Sequence, residues 1–265
     1  MTDLLAHAES VWQAVVTDLP TFTVEVLPHI DSTSSELMRR ARDGLVEPVL
    51  LAAEEQTAGR GRMGRGWHSR AGQSLTFSLA LPLAPGDWSG LSLAVGVSLA
   101  ESLHPEVRLK WPNDLWLHER KLGGILVETA GSGEGAAAPR TVVVGVGINI
   151  ARPDAAAVQS LAAPGAVAAM PPAGLAEVRV GVTAGETLAL VAPALVRDVR
   201  RFGAEGFAAF AGRFAQRDAL RGRTVRLSDG DEGMADGVDA QGALRVQTAQ
   251  GLRTVHSAEV SVRPC

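Results

Sequence analysis

The sequence predicts an α+β chain in which a larger unit of strands and helices precedes a smaller, purely β one. Three observations predict it. Strand-like apolar runs and helix-period segments are interspersed as far as residue 218. From Arg221 onward only short strand-like runs occur, split by Asp229-Gly230, Gln241-Gly242 and Gln250-Gly251. A chain of 265 residues with 46% hydrophobic content can build one large core and a small one. The expected division is 1–218 and 219–265.

Taken in order, residues 2–18 read as a helix capped by Thr2 or Asp3, with Leu5, Ala8, Trp12, Val15 and Leu19 at helical spacing and Pro20 as its stop. Phe22 to Leu27 alternates as a strand. Asp31-Ser32-Thr33-Ser34-Ser35-Glu36 suits the start of a helix running toward Arg42. Its hydroxyls are equally able to cap that helix or to face a ligand. Val49 to Gln56 and Ser74 to Leu81 are strands bounded by Gly or Pro, and Leu91 to Leu103 is an apolar helix that packs on a sheet.

In Val107 to Leu117, Pro112 has no amide donor and breaks the strand. Lys110, Asn113 and Asp114 therefore sit where polar groups can face a cavity. His118-Glu119-Arg120 is a turn, and Lys121 to Glu128 returns as a strand carrying the pair Gly123-Gly124. Val142 to Ile150 is a strongly apolar strand, and Gly145 and Gly147 mark close approach by a ligand or by packing. Asn149 can bond to neighbouring backbone or reach a ligand. Residues 130–140 and the Ala/Pro/Gly-rich residues 153–180 read as surface segments without chemistry. Two helices are expected at Thr183–Arg201 and Ala204–Arg217, with core faces at Leu188, Val191, Leu195, Val199, Phe207, Phe210 and Phe214. Strands at Thr224–Leu227, Met234–Val238, Ala243–Val246 and Thr254–Val262 then suggest a small barrel, SH3-like in size.

One stretch stands out chemically: Gly59-Arg60-Gly61-Arg62-Met63-Gly64-Arg65-Gly66-Trp67, between two strands. Glycine permits turns and close approach, and arginine offers a planar fork of donors matched to carboxylate or phosphate. The stretch reads as a loop that closes over an anion. Ordering a loop costs about 1–2 kcal/mol per residue, and a charge-assisted hydrogen bond returns about 1.5–3 kcal/mol. On that balance the loop is expected to be open, and open to trypsin, until a ligand engages several donors.

Composition excludes other classes. The net charge of −4 does not favour non-specific nucleic-acid binding. The single cysteine, Cys265, rules out an internal disulfide and a cysteine zinc site. No run approaches the roughly 20 apolar residues of a membrane span, and the N-terminus lacks a basic-then-apolar signal. A cytoplasmic protein is expected. There is no phosphate loop of the Gly-x-x-x-x-Gly-Lys type, no dinucleotide fingerprint and no Gly-x-Ser-x-Gly elbow.

Taken together, Asp31-Ser32-Thr33, the stretch from Gln56 to Trp67, Lys110-Trp111-Pro112-Asn113-Asp114, the stretch from Lys121 to Glu128, and Gly145-Val146-Gly147-Ile148-Asn149 resemble the biotin protein ligase (biotin–[acetyl-CoA-carboxylase] ligase) family, in that family's order. Gly237 to Leu244 resembles its C-terminal barrel. The resemblance implies an α+β catalytic domain like that of class II aminoacyl-tRNA synthetases, a mixed sheet flanked by helices, with a small C-terminal SH3-like β-barrel. It implies attack of the biotin carboxylate on the α-phosphate of ATP, giving biotinyl-5′-AMP and pyrophosphate. A lysine of a biotin carboxyl carrier protein then attacks the anhydride and releases AMP. It places Ser32, Thr33 and Gln56 on the ureido ring, and Arg60, Gly61, Arg62 and Lys121 on the carboxylate and acyl phosphate, with Arg60, Arg62 and Lys121 as the catalytic groups. Arg65, Trp67, Lys110, Asn113, Asp114 and Asn149 fall to ATP, and Asp114 also to Mg²⁺, which prefers hard oxygen ligands. The family's opening motif often reads Ser-Thr-Asn; here Ser34 takes the place of the Asn, and Met63 stands where related loops carry another basic residue.

Two rivals share features of this pattern. A lipoate or octanoate ligase of the same architecture would show a different Gly-rich segment and a His-Asp pair, which this sequence lacks. A non-enzymatic RNA-binding module is disfavoured by negative charge, six phenylalanines and no tyrosine. A single helix precedes Asp31, too little for a winged-helix domain, so no DNA binding is expected. The resemblance allows a homodimer.

Overall fold

The computed structural model describes residues 2–44, 47–131, 139–153, 171–256 and 262–264. Most of the 130–140 and 153–180 segments, residues 257–261 of the last expected strand, and Cys265 lie outside them. The helices are α1 (Asp3–Val16), α2 (Thr33–Arg42), α3 (Leu91–Leu103), α4 (Ala184–Glu205) and α5 (Ala208–Arg217). The strands are β1 (Thr23–Ile30), β2 (Val49–Gln56), β3 (Ser74–Leu83), β4 (Arg108–Lys110), β5 (Asp114–Leu117), β6 (Arg120–Ala130), β7 (Arg140–Asn149), β8 (Thr224–Leu227), β9 (Glu232–Val238), β10 (Leu244–Thr248), β11 (Gly251–Val255) and β12 (Val262–Pro264). They form a seven-stranded sheet in the order β1-β2-β3-β7-β6-β5-β4 and a separate five-stranded antiparallel sheet in the order β11-β10-β9-β8-β12. In the first sheet β1 and β2 are parallel and every other pair is antiparallel, so the sheet is mixed.

Period-two alternation decides what each face of the large sheet does. On β3, Leu75, Phe77, Leu79 and Leu81 turn to one side; on β7, Val142, Val144, Val146 and Ile148 do the same. These eight side chains pack beneath α1, α3 and α4 in the main core. The opposite face is covered only in part, where Leu37, Met38 and Ala41 of α2 meet Val49, Leu51, Ala80 and Val143. Beyond α2 that face carries small residues, among them Gly124, Gly145 and Gly147, and there the pocket opens.

Three expectations need correcting. On α1 the buried stripe is Leu4, Val11 and Val15, while Leu5 and Trp12 remain 49% and 42% exposed. Val15 is buried as expected and Leu19 packs against the core, but Leu4 and Val11 take the places of Leu5 and Trp12 on the side that α4 covers. Second, Pro112 does not interrupt one continuing strand: β4 and β5 pair with each other as a hairpin at the sheet edge, with Trp111–Pro112 cis at its turn. Third, α4 runs unbroken through Pro193 to Glu205 and ends at Gly206, whose φ of 66° closes the helix. Gly203 lies inside the helix against Leu83, where a side chain would come within 2.9 Å, so that glycine serves packing and does not end the helix.

The two sheets touch. The Trp111 indole, 1% exposed, donates to the Gly242 carbonyl at 3.0 Å. The Ala219 amide donates to the Leu109 carbonyl at 2.9 Å. Among the described residues no helix is long and apolar enough to cross a membrane.

Candidate active site

The pocket, about 150 Å³, lies on the partly covered face of the large sheet. Its lining includes Ser32, Thr33, Gln56, Arg60, Gly61, Arg62, Arg65, Trp67, Lys110, Asn113, Asp114 and Lys121. Every residue singled out from the sequence is thus brought together except Asn149. That side chain, 6% exposed, donates instead to the Ala173 carbonyl at 3.0 Å and the Lys121 carbonyl at 3.5 Å. Its place is behind Lys121, in the main-chain role that a strand-end Asn often takes.

One end of the pocket is neutral and hydroxyl-rich. Ser32 caps α2 by accepting from the Ser35 amide, which places Thr33 and Ser34 at the pocket rather than in solvent. Gln56 Oε1 accepts from the Thr33 amide at 2.8 Å and from Thr33 Oγ1 at 3.0 Å. Thr33 Oγ1 also lies 2.8 Å from Ser78 Oγ, which in turn lies 2.9 Å from Ser34 Oγ. Each hydroxyl has one proton. Thr33 spends its proton on Gln56, so Ser78 donates to Thr33 and Ser34 donates to Ser78. This polarised chain leaves Gln56 Nε2 to donate and Ser34 Oγ to accept. The end is suited to a neutral group carrying both N–H and C=O. Ser78 was missed from the sequence. Its signal was there: Ser74, Thr76 and Ser78 make a polar stripe on an otherwise apolar strand.

The other end is cationic. Lys121 Nζ lies 2.8 Å from Asp114 Oδ1. Arg62 Nη1 donates to Asn113 Oδ1 at 3.4 Å, and burial holds the Arg62 guanidinium below its ordinary pKa while Asp114 opposes that shift. Lys110 sits over the Trp116 ring at 5.8 Å. Asn113 is fixed by two bonds to β6: its Nδ2 donates to the Ile125 carbonyl at 2.8 Å and its own carbonyl accepts from the Ile125 amide at 3.0 Å. Among the described residues no cluster of three or more His, Cys, Asp or Glu side chains could hold a metal ion. Asp114 is a single carboxylate already paired with an ammonium, so the side chains present do not form a resident metal site.

The arginine loop is not open. Arg60 and Gly66 form a bridge, the Gly61 amide donates to the Arg65 carbonyl at 2.7 Å, and the Trp67 amide donates to the Gly59 carbonyl at 2.8 Å. Met63 and Gly64 turn the tip with φ of 55° and 70°. The resulting hairpin lies across the pocket. Its internal bonds, and the seating of the Trp67 ring on Gly147, offset part of the ordering cost, so closure does not wait on a ligand alone. The seat is close: a Cβ on Gly147 would lie 2.3 Å from Trp67 Cε2. Gly145 likewise admits Ser34, whose Oγ would lie 2.2 Å from an added Cβ. Of the pair Gly123-Gly124, the first packs within the sheet against the Gly147 carbonyl, and the second faces Lys121.

Fold and pocket define a class: an α+β protein whose pocket, hydroxyl-rich at one end and cationic at the other, lies between a mixed sheet and an arginine-bearing hairpin. Residues 26–149 match the Biotin/lipoate A/B protein ligase family, and residues 222–263 match the Biotin protein ligase C terminal domain. The biotin–[acetyl-CoA-carboxylase] ligase of Paracoccus denitrificans is 36% identical over 250 residues, 89% of this chain and 98% of that protein. The bifunctional ligase/repressor BirA of Escherichia coli K12 is 36% identical over 91% of this chain and 74% of its own length. Among solved structures, the biotin protein ligase of Aquifex aeolicus in complex with biotin and ATP has a TM-score of 0.72 at 27% identity, covering 91% of this chain and 99% of that one. The chain belongs to the biotin protein ligase family.

Proposed function

We propose that this chain condenses biotin with ATP to biotinyl-5′-AMP and pyrophosphate, and then passes the biotinyl group to a lysine of a biotin carboxyl carrier protein. The single observation that carries the reading is the two-ended pocket: a polarised hydroxyl–amide chain at one end, and Arg62, Lys110 and Lys121 at the other. The Ser34–Ser78–Thr33–Gln56 chain suits the ureido ring of biotin, which offers N–H and C=O groups together. A dithiolane ring offers no N–H donor, so the same chain disfavours lipoate. Related ligases crystallised with biotin and ATP support the ligand pair.

The chemistry brings two anions together, and their repulsion, with charge developing at phosphorus, forms the barrier. Catalysis is then positioning and positive charge. Arg60, Gly61 and Arg62 hold the carboxylate and then the acyl phosphate; Lys121 reaches the same junction. Before ligand binds, Asp114 occupies the Lys121 ammonium; the incoming acyl phosphate takes its place. Arg65, Trp67, Lys110 and Asn113 face the nucleotide. Mg²⁺ enters as the ATP complex, as part of the substrate, with Asp114 nearby once Lys121 has moved. The carrier lysine then attacks the acyl carbon, and AMP leaves with the bonding electron pair. We read the large sheet as a class II aminoacyl-tRNA synthetase-like domain, the terminal strands as an SH3-like barrel, the division as 1–218 and 219–265, and the setting as cytoplasmic.

Incubation with biotin, Mg-ATP and a biotin carboxyl carrier domain, followed by streptavidin blotting, tests the reading. A labelled carrier and stoichiometric pyrophosphate are expected. A protein that binds RNA in a salt-dependent way and turns over no ATP would overturn it.

A further inference from the structure

We propose that Glu128 is a positioning residue whose carboxylate latches the arginine hairpin shut over the pocket by holding Arg60. The proposal rests on the ligase reading above for what the latch retains, but the latch itself is a matter of geometry. Arg60 Nη2 donates to Glu128 Oε2 at 2.7 Å, across 68 residues of chain. Glu128 lies on the same face of β6 as Gly124 and Leu126, which line the pocket, and stands one step beyond them. Besides the Arg62–Asn113 contact, the hairpin is pinned to the sheet at two further points. Trp67 sits on Gly147 of β7, and Arg60 reaches Glu128 of β6, with the pocket face between them.

A carboxylate inside an anion site would repel the ligand. One step past the pocket, it can draw Arg60 across the mouth without facing the ligand. The guanidinium has five N–H donors in a planar fork, so engaging Nη2 outside leaves others for an acyl phosphate. The two side chains are 43% and 26% exposed, and a pair of that kind is weak. Weakness fits a latch that must open for biotin to enter and again for an acceptor amine to reach the anhydride. Closure between those events would keep the adenylate from water and from stray amines.

The test uses the full chain with Glu128→Ala and Glu128→Gln, checked for unchanged thermal unfolding. Three quantities are read: trypsin cleavage after Arg60, Arg62 and Arg65 without ligand, pyrophosphate release at saturating biotin and Mg-ATP, and biotin labelling of a bystander protein that is not a carrier. For Glu128→Ala, cleavage and bystander labelling should each rise about two- to fivefold, the scale commanded by one partly exposed ion pair. Pyrophosphate release should change far less. Glu128→Gln keeps an amide oxygen for Arg60 and should fall between the two; it decides the matter if the alanine variant does not fold. Cleavage and labelling equal to those of the unaltered chain would overturn the latch. So would a collapse of pyrophosphate release in both variants, which would put Glu128 in the reaction itself. An unaltered chain that makes no adenylate would sink the ligase reading alone, because the cleavage arm still tests the latch.

Discussion

Lys121 carries the sharpest expectation at the scale of one residue. It is 43% exposed, it rests on Asp114, and its backbone carbonyl is held by Asn149, so its removal should leave the fold intact. Lys121→Ala should lower adenylate formation by about 10²–10³-fold, the loss of one preorganised donor to developing charge. Near-normal pyrophosphate release from that variant would take Lys121 out of the mechanism. Ser78 is the complementary case, fully buried and joined to both Thr33 and Ser34. Ser78→Ala should break the polarised chain and weaken biotin binding by about 0.5–1.5 kcal/mol, seen as a raised KM for biotin with that for ATP unchanged. Equal effects on both substrates would show that the chain does not belong to the ureido end.

At the scale of elements, the hairpin from Gly59 to Trp67 and strand β7 form one unit. Gly147→Ala would drive a methyl into the Trp67 ring. Overpacking of this kind costs about 1–3 kcal/mol, and the cheapest escape is for Trp67 to lift with its hairpin. Faster trypsin cleavage after Arg62 and Arg65, with both KM values raised and the melting temperature nearly unchanged, is the expected result. A lowered melting temperature with an uncut hairpin would mean that the sheet yields before the loop does. The β5–β6 turn shows how tertiary context overrides local preference. His118 and Glu119 both adopt positive φ, 48° and 61°, without a glycine between them. Glu119 is instead held by Arg223 at 2.6 Å, a contact with the chain just ahead of β8.

At the scale of the whole molecule, the joint between the two sheets invites two measurements. Trp111→Phe keeps the buried ring but removes its bond to Gly242. It should cost about 1–3 kcal/mol of unfolding free energy, the range for a buried carbonyl left without a partner, and should raise the KM for ATP, because the same turn carries Lys110, Asn113 and Asp114. Unchanged stability would show that water replaces the indole. Asp218 lies at the same joint, and burial pushes its carboxyl above the ordinary 3.8. A raised native pKa means stability fully present below 3.8 and lost as pH rises through the native value. In urea unfolding, Asp218→Asn should therefore gain relative to the unaltered chain as pH climbs through that window, and the difference should level off above it. A difference flat with pH throughout would show that the Asp218 carboxyl titrates alike in the folded and unfolded chain.

The sequence by itself determined the order of strands and helices, the break at Pro112, the glycine-separated C-terminal strands, and the polar and charged residues that gather at the pocket, Asn149 excepted. Those properties are local: period-two and helical patterns, breakers, and donor types clustered in short motifs are written along the chain. Only the tertiary structure decided that Asn149 supports Lys121 from behind, that Ser78 completes a hydroxyl chain with residues 44 and 45 positions away, and that Glu128 meets Arg60. It also decided which stripe of α1 is buried, and that the arginine loop is held closed by its own chain. The physical reason is the same in each case. Strand pairing and helix packing bring distant segments within hydrogen-bonding range, and a side chain's partner across such a gap leaves no mark on its immediate neighbours in sequence.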